Sequence, residues 1–288
     1  LSNFAQTQML IDLGKKDHIL NALPFFHCFG LMAGMILPLL GGTKVFLYPN
    51  PLHYRVIPEL CYQKQFTCLW GTPTFLRGYG LNSDPLDMVS LRYVVSGAEK
   101  LSEEIYQLWI ERFGIRIFQG YGVTEASPVV ATNSPFACKK DTVGPVVSQL
   151  EYYVRPVAGI EKGGELVIKG PNIMVGYLST DSSSNDPVRR PETIERGLGW
   201  HATGDIVEFD DEGFITIVGR IKRFAKIAGE MISLTSVEEL ASKLWPEGQH
   251  AAITQEDSKK GERIVLVTNE TNASKQAIIQ GAHDLEYG

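Results

Sequence analysis

The chain comprises 288 residues, 44% hydrophobic and 21% charged, with a formal net charge of −6. At roughly 150 residues per domain this length predicts two domains, each able to bury a core without staples, and the acidic balance argues against a nucleic-acid partner. The four cysteines, Cys28, Cys61, Cys68 and Cys138, form no C-x-x-C pair and the six histidines no H-E-x-x-H spacing, which speaks against structural zinc or a disulfide framework and suits a reducing cytoplasm.

Leu1 opens the chain without a basic-then-apolar leader, so a piece of a longer protein is expected. The longest apolar run, CFGLMAGMILPLL (28–40), is shorter than the ~20 residues of a membrane helix and contains Pro38. From His18 to about Asn133, apolar runs alternate with helical patterns. TKVFLY (43–48), LRYVVSG (91–97) and IRIFQGYG (115–122) read as buried parallel strands. Between the last two, Ser102 caps a predicted helix with Ile105, Leu108, Trp109 and Phe113 on one face and Gly114 at its end. Strand, helix and strand make a βαβ unit. Short β-like runs separated by glycines follow from Thr142 to Val218, and DSSSNDPVRRP (181–191) reads as an exposed loop. The helical pattern SVEELASKLW and the strand ERIVLVTN then suggest a small α+β module. The predicted organisation is an α/β subdomain at 1–135, a β-rich subdomain at 136–218, and a hinge with a partial C-terminal domain at 219–288.

Two stretches carry chemistry. In QGYGVTEAS (119–127) a strand ends in Gly120 and Gly122 around Tyr121, followed by Thr124 and Glu125. The glycines let a planar ligand approach the backbone, Tyr121 offers a stacking face, Thr124 can hydrogen-bond phosphate oxygens and Glu125 can hold Mg²⁺. The alternative is a plain strand-to-helix turn with Thr124 as its N-cap. The second stretch, WHATGDIVEFDDEGFITIVGRIKRFAKIAGEMIS (200–233), places Arg220 fifteen residues after Asp205 of T-G-D and runs on into K-R-F-A-K-I-A-G-E.

Together with LPFFHCFGL (23–31), SGAEK (96–100), TVGP (142–145) and GGELVIKGPNIMVGYL (163–178), these stretches resemble the adenylate-forming superfamily of acyl-CoA synthetases, luciferases and nonribosomal-peptide adenylation domains. Within it, LRYVVSGAEK, FQGYGVTE and KRFAKIAGEMISL are most similar to the acyl-acyl-carrier-protein synthetase half of bacterial 2-acylglycerophosphoethanolamine acyltransferases. The resemblance implies a mostly parallel sheet flanked by helices, a β-rich subdomain and a partial small domain. It implies that Tyr121 stacks on adenine, backed by Gly97, Ala98 and Glu99, with Gly120 and Gly122 beside it. Thr124 would contact the α-phosphate, Glu125 would hold Mg²⁺, Asp205 would accept the ribose hydroxyls, Ile217 would line the base, and Arg220 would assist at ribose or phosphate. Lys222 would be the hinge of the C-terminal domain, and Gly229 would lie on the loop delivered to the pantetheine arm. His27, with Phe25, Phe26 and Phe29, would wall the acyl pocket; by itself His27 reads as a core histidine.

The implied reaction activates a fatty acid with ATP as acyl-adenylate and passes it to acyl carrier protein, or to CoA, in lysophospholipid reacylation. The alternatives are a fatty acyl-CoA synthetase and a non-catalytic acyl-AMP-binding module. Two expected parts are absent from the sequence: a Ser/Thr/Gly-rich phosphate loop upstream of LPFFHCFGL, and a glycine-preceded lysine after Lys222, where Lys226, Lys243, Lys259, Lys260 and Lys275 are the lysines present. Weak nucleotide binding and little turnover are therefore expected of this chain. A cytoplasmic location is expected for it, and attachment of the longer protein to the cytoplasmic face of a bacterial inner membrane through other segments.

Overall fold

The computed structural model describes residues 1–178, 188–227, 230–257 and 261–284. Most of the predicted 181–191 loop, Gly229, Lys259 and Lys260 lie outside the described residues. Strands β1 (His18–Asn21), β2 (Lys44–Leu47), β3 (Cys68–Gly71), β4 (Tyr93–Ser96), β5 (Ile117–Gly122) and β6 (Val129–Thr132) form one sheet in the order β2-β1-β3-β4-β5-β6. Its first five strands are parallel, and β6 runs antiparallel to β5. This is the predicted α/β fold with a mostly parallel sheet.

The pleat divides the core in two, because successive side chains of a strand point to opposite faces. Val94 of β4 joins Leu20, Leu69, Tyr79 and Trp109 on one face, while Tyr93 and Val95 join Ile19, Trp70 and Phe118 on the other. Helices α1 (Ser2–Gln8), α2 (Cys28–Leu31), α3 (Leu37–Gly41), α4 (Val56–Lys64), α5 (Pro73–Leu81) and α6 (Glu103–Phe113) accompany these strands. The ends of α6 are those its sequence dictates: the Ser102 hydroxyl accepts from the Ile105 amide at 3.4 Å, and Gly114 closes the helix at φ +67°. Trp109 of α6 is fully buried and donates its indole N–H to the Leu76 carbonyl at 3.0 Å, so its polar edge costs nothing to bury. Burial pushes the Cys61 and Cys68 thiols up to about 12, which makes them packing groups rather than nucleophiles.

The apolar run at 28–40 divides into α2, a π-helical turn at Met32–Ile36, and α3 with Pro38 in its first turn, where a missing N–H does no harm. Among the described residues no helix is long and apolar enough to cross a membrane. The buried Asn3 of α1 donates to the Val129 carbonyl at 2.9 Å and accepts from its amide at 3.0 Å, standing in for a strand partner on the outer edge of β6.

A second sheet takes the order Ile215–Arg220, His201–Phe209, Gly164–Lys169, Glu151–Arg155. A third, antiparallel, takes the order Glu230–Ser233, Phe224–Ile227, Gly261–Thr268, His250–Asp257 and buries Ala225 and Ala252 with Leu234 of the helix Leu234–Leu244. The chain forms two compact units. One comprises Leu1–Tyr153, Val167–Thr203 and Phe209–Thr216; the other Val154–Leu166, Gly204–Glu208 and Ile217–Gly288.

Candidate nucleotide and acyl site

In the first unit a cavity opens at the carboxyl ends of β3, β4 and β5, the edge where ligands gather in parallel sheets. Gly97, Ala98, Gly120, Tyr121 and Gly122 line it together with His27 and Phe29. Trp70 lies in the same wall, its indole donating to the Ala33 carbonyl at 2.8 Å. Apolar groups dominate the lining, as an acyl or aryl group requires. A Cβ on Gly97 would sit 3.4 Å from the Phe29 ring and narrow the opening; one on Gly122 would collide with the Pro128 carbonyl, so β5 and β6 could not close up.

His27 is exposed rather than a core residue, and its Nδ1 accepts the Phe29 amide at 3.2 Å, capping α2. Phe25 and Phe26 lie outside the cavity lining, Phe26 almost fully in solvent. Glu99 also lies outside it; its carboxylate accepts from the Thr74 amide at 3.2 Å and hydroxyl at 2.6 Å, at the first turn of α5, where negative charge is favoured.

Past β5 the chain makes a 3₁₀ turn, Thr124–Ala126. Val123, not Thr124, holds its cap position, without a side-chain cap bond, so the plain N-cap alternative does not describe Thr124. Instead the exposed Thr124 hydroxyl lies 3.4 Å from the Cys28 thiol at the cavity wall, which brings the phosphate candidate beside the acyl candidates. The Glu125 carboxylate accepts the Tyr177 hydroxyl at 2.6 Å. Desolvation first, and then the bond to Glu125, push the Tyr177 phenol up to about 12, so it remains a donor at neutral pH.

The second unit holds Asp205, Ile217, Arg220 and Lys222. Asp205 is 2% exposed and pairs with the Arg220 guanidinium at 2.9 Å, while the Arg220 side chain is 68% exposed. Next to Asp205, the Gly204 amide donates to buried Glu165 at 3.1 Å, whose other oxygen is held by Arg155. Ile217 is half-buried on the strand Ile215–Arg220. Lys222 is exposed in the three-residue turn Ile221–Arg223 between two strands; its neighbour Arg223 is anchored to Glu238 at 2.6 Å and to the Ala252 carbonyl at 3.2 Å.

Among the described residues there is no group of three His, Cys, Asp or Glu able to hold a metal. The donor present, a single carboxylate beside a phosphate candidate, suits Mg²⁺, which is held by one or two carboxylates plus substrate phosphates rather than by a protein cage. Sequence reasoning missed Asn172, Tyr177, Glu165 and Arg155. A signal for Glu165 was present: a carboxylate directly before the apolar run LVI of the strand GELVIK must have partners if it is buried.

The family described as AMP-binding enzyme matches residues 1–178. A probable 4-coumarate–CoA ligase 1 of Dictyostelium discoideum is 33% identical over 251 residues, 83% of this chain and 44% of its own length. The long-chain-fatty-acid–CoA ligase of Yersinia pestis is 27% identical over 275 residues, covering 92% of this chain and 47% of its own length. The chain thus spans about half the length of the curated relatives it matches. Among solved structures, ATP-bound MatB from Rhodopseudomonas palustris superposes with a TM-score of 0.80 at 21% identity, over 98% of this chain and 56% of that one. MenE from Bacillus subtilis, in complex with its acyl-adenylate intermediate OSB-AMP, gives 0.80 at 23% identity, over 98% and 57%. These two likenesses confirm the fold, and the family match, which covers more than half of the sequence, establishes that the chain belongs to the AMP-binding enzyme family.

Proposed function

We propose that this chain is the adenine- and acyl-binding part of an adenylate-forming ligase. In the reaction, a fatty carboxylate attacks the α-phosphorus of ATP, the α–β phosphoanhydride bond breaks, and acyl-adenylate and pyrophosphate result. A phosphopantetheine thiol then attacks the acyl carbon and AMP leaves. The observation that supports this reading best is the single cavity that gathers Gly97, Ala98 and Tyr121 with His27 and Phe29, beside the Thr124 hydroxyl.

Each group has a physical task. Tyr121 stacks on the base, Thr124 donates to the α-phosphate, and Phe29 and Trp70 keep water from the acyl group. Asp205 accepts the two ribose hydroxyls on its two oxygens, and Arg220 lends positive charge to ribose or phosphate. Mg²⁺ held by Glu125 would neutralise phosphate charge. Lys222 absorbs the backbone change between the two half-reactions.

For the acceptor, the resemblance of KRFAKIAGEMISL favours acyl carrier protein and lysophospholipid reacylation. The CoA ligases among the relatives favour CoA as the second reading. A non-hydrolysable acyl-sulfamoyl adenosine, titrated into the 288-residue chain, tests the site: binding that weakens at least tenfold in Tyr121→Ala supports it, and no binding to the wild type counts against it. Thioester formation by the full-length protein with acyl carrier protein or with CoA as the thiol separates the two acceptors.

A further inference from the structure

The register of the first sheet fixes how deep the candidate acyl cavity runs. Trp70, Val95 and Phe118 are paired neighbours on β3, β4 and β5, and their side chains form one row on the same face. Two residues further along, where that face is reached again, stand Gly97 just past β4 and Gly120 in β5, which carry no side chain. The cavity is the space left over these glycines, and two residues of strand separate it from the row below by only about 7 Å. Exposure sorts the lining in the same way. Ile11, Leu37, Trp70 and Val95 are buried and form the floor, whereas His27, Ala98 and Gly122 are exposed and form the mouth.

Trp70 is the largest side chain of that floor and is 2% exposed. Its indole N–H donates at 2.8 Å to the carbonyl of Ala33, within the π-helical turn Met32–Ile36. Swinging the ring aside would leave the N–H unpaired among apolar groups, so the floor is held in place as well as filled. The free space above it is about 90 Å³, against ~150 Å³ for a cavity that holds one benzene ring. A chain that outgrows this space must turn back towards the mouth and lose its burial. We propose that Trp70 is a specificity-determining residue: it closes the acyl pocket, so that the acid activated there carries a short acyl chain. This rests on the reading of the cavity as the acyl site of an adenylate-forming ligase, and narrows the fatty acid of that reading to the short ones.

The test titrates sulfamoyl adenosine, bare and acylated with straight chains from acetyl to palmitoyl, into the 288-residue chain by calorimetry. Each acyl affinity is taken relative to that of the bare compound with the same variant, which separates the acyl pocket from the nucleotide site. In the wild type the relative affinity is expected to rise about fourfold per methylene over the first few carbons and to level off before octanoyl. Trp70→Ala should carry the rise further and improve the octanoyl compound at least about tenfold. Trp70→Phe, which keeps much of the bulk but loses the N–H anchor, should move the break less and in the same direction. Val95→Leu adds bulk to the same row and should move the break to shorter chains, so it answers the question even if Trp70→Ala fails to fold. A rise that continues unbroken to palmitoyl in the wild type overturns the closed pocket. A break that stays in place in every folded variant overturns the role of Trp70, and in both cases the nucleotide reading stands. If neither the bare compound nor any acylated one binds the wild type, the nucleotide reading itself falls, and the proposal with it.

Discussion

The 3₁₀ turn bearing Glu125 takes hydrogen bonds from Asn172, the Met174 amide and Tyr177, whereas Asp205 lies within the strand His201–Phe209, paired with Arg220 and next to Gly204, whose amide meets the Arg155-bound Glu165. The burial of the carboxylates accounts for the difference. Glu165 and Asp205 are both nearly inaccessible, and a buried carboxylate without a cationic or N–H partner bears a desolvation penalty that it would relieve by taking up a proton. Glu125 is only half-buried, so water shares in its solvation. Asp205 thus has its charge engaged by Arg220 before any ligand arrives. If a ribose binds at Asp205 as proposed, it shares the carboxylate with Arg220, whose side chain is largely exposed.

This contrast can be broken most severely at Glu165. Glu165→Ala removes one partner of Arg155, which is 30% exposed, and the acceptor of the Gly204 amide, and should destabilise the second unit by ~2–3 kcal/mol, a value below that of a fully buried pair because water can reach the guanidinium. Hydrogen exchange at Gly204 reports it, and wild-type protection there would show the ion pair to be dispensable. Next is Asp205→Ala, expected to weaken AMP binding by about tenfold to a hundredfold, with Asp205→Asn less damaging to the fold. An unchanged dissociation constant in calorimetry would remove Asp205 from the ribose.

Lys222→Pro sharpens the comparison from the hinge side, since a fixed φ beside the anchored Arg223 should trap one orientation of the chain beyond it. In the full-length protein, pyrophosphate exchange and thioester formation should then differ by about tenfold in their losses. Equal losses would leave Lys222 as a surface charge. The smallest effect belongs to Lys139, which bridges Asp210 at 2.6 Å and Glu212 at 2.9 Å on the surface of the first unit. Its bond to Asp210 holds that carboxyl below the usual carboxylate range and raises the Lys139 ammonium. Because the folded pKa of Asp210 is depressed, its stabilisation is present above the unfolded value of ~3.9 and disappears as pH falls through the folded one. Unfolding of wild type and Asp210→Asn between pH 5 and pH 2 should therefore converge towards acid, and should already nearly coincide in high salt. A constant difference across that range would show that Asp210 acts through its backbone bonds instead.

Local signals made α6 and the ends of β4 and β5 legible in the sequence. Ser102, Gly114 and the apolar spacing between them depend on nothing distant. The run at 28–40 was legible as apolar but not as two short helices about a π-turn, because such turns answer to packing rather than propensity. Tyr121, Thr124, Glu125 and Asp205 stood out in the sequence as candidates for contact with a nucleotide. The residues that hold them did not: Asn172 in GPN reads as a turn former, and its role depends on Ala126, Ser127 and Gln6, far away in sequence.

The chain passes between the two compact units repeatedly, because residues 154–166 and 204–208 belong with the C-terminal segment while 167–203 and 209–216 belong with the N-terminal one. No single peptide-bond cleavage can therefore release either unit as a continuous polypeptide. A protease that nicked the chain at one surface loop would leave both fragments entangled in shared folding, and they should co-elute until a denaturant is added. Any exchange of modules between such proteins by recombination would have to respect several crossover points at once, so the two units are expected to be inherited together.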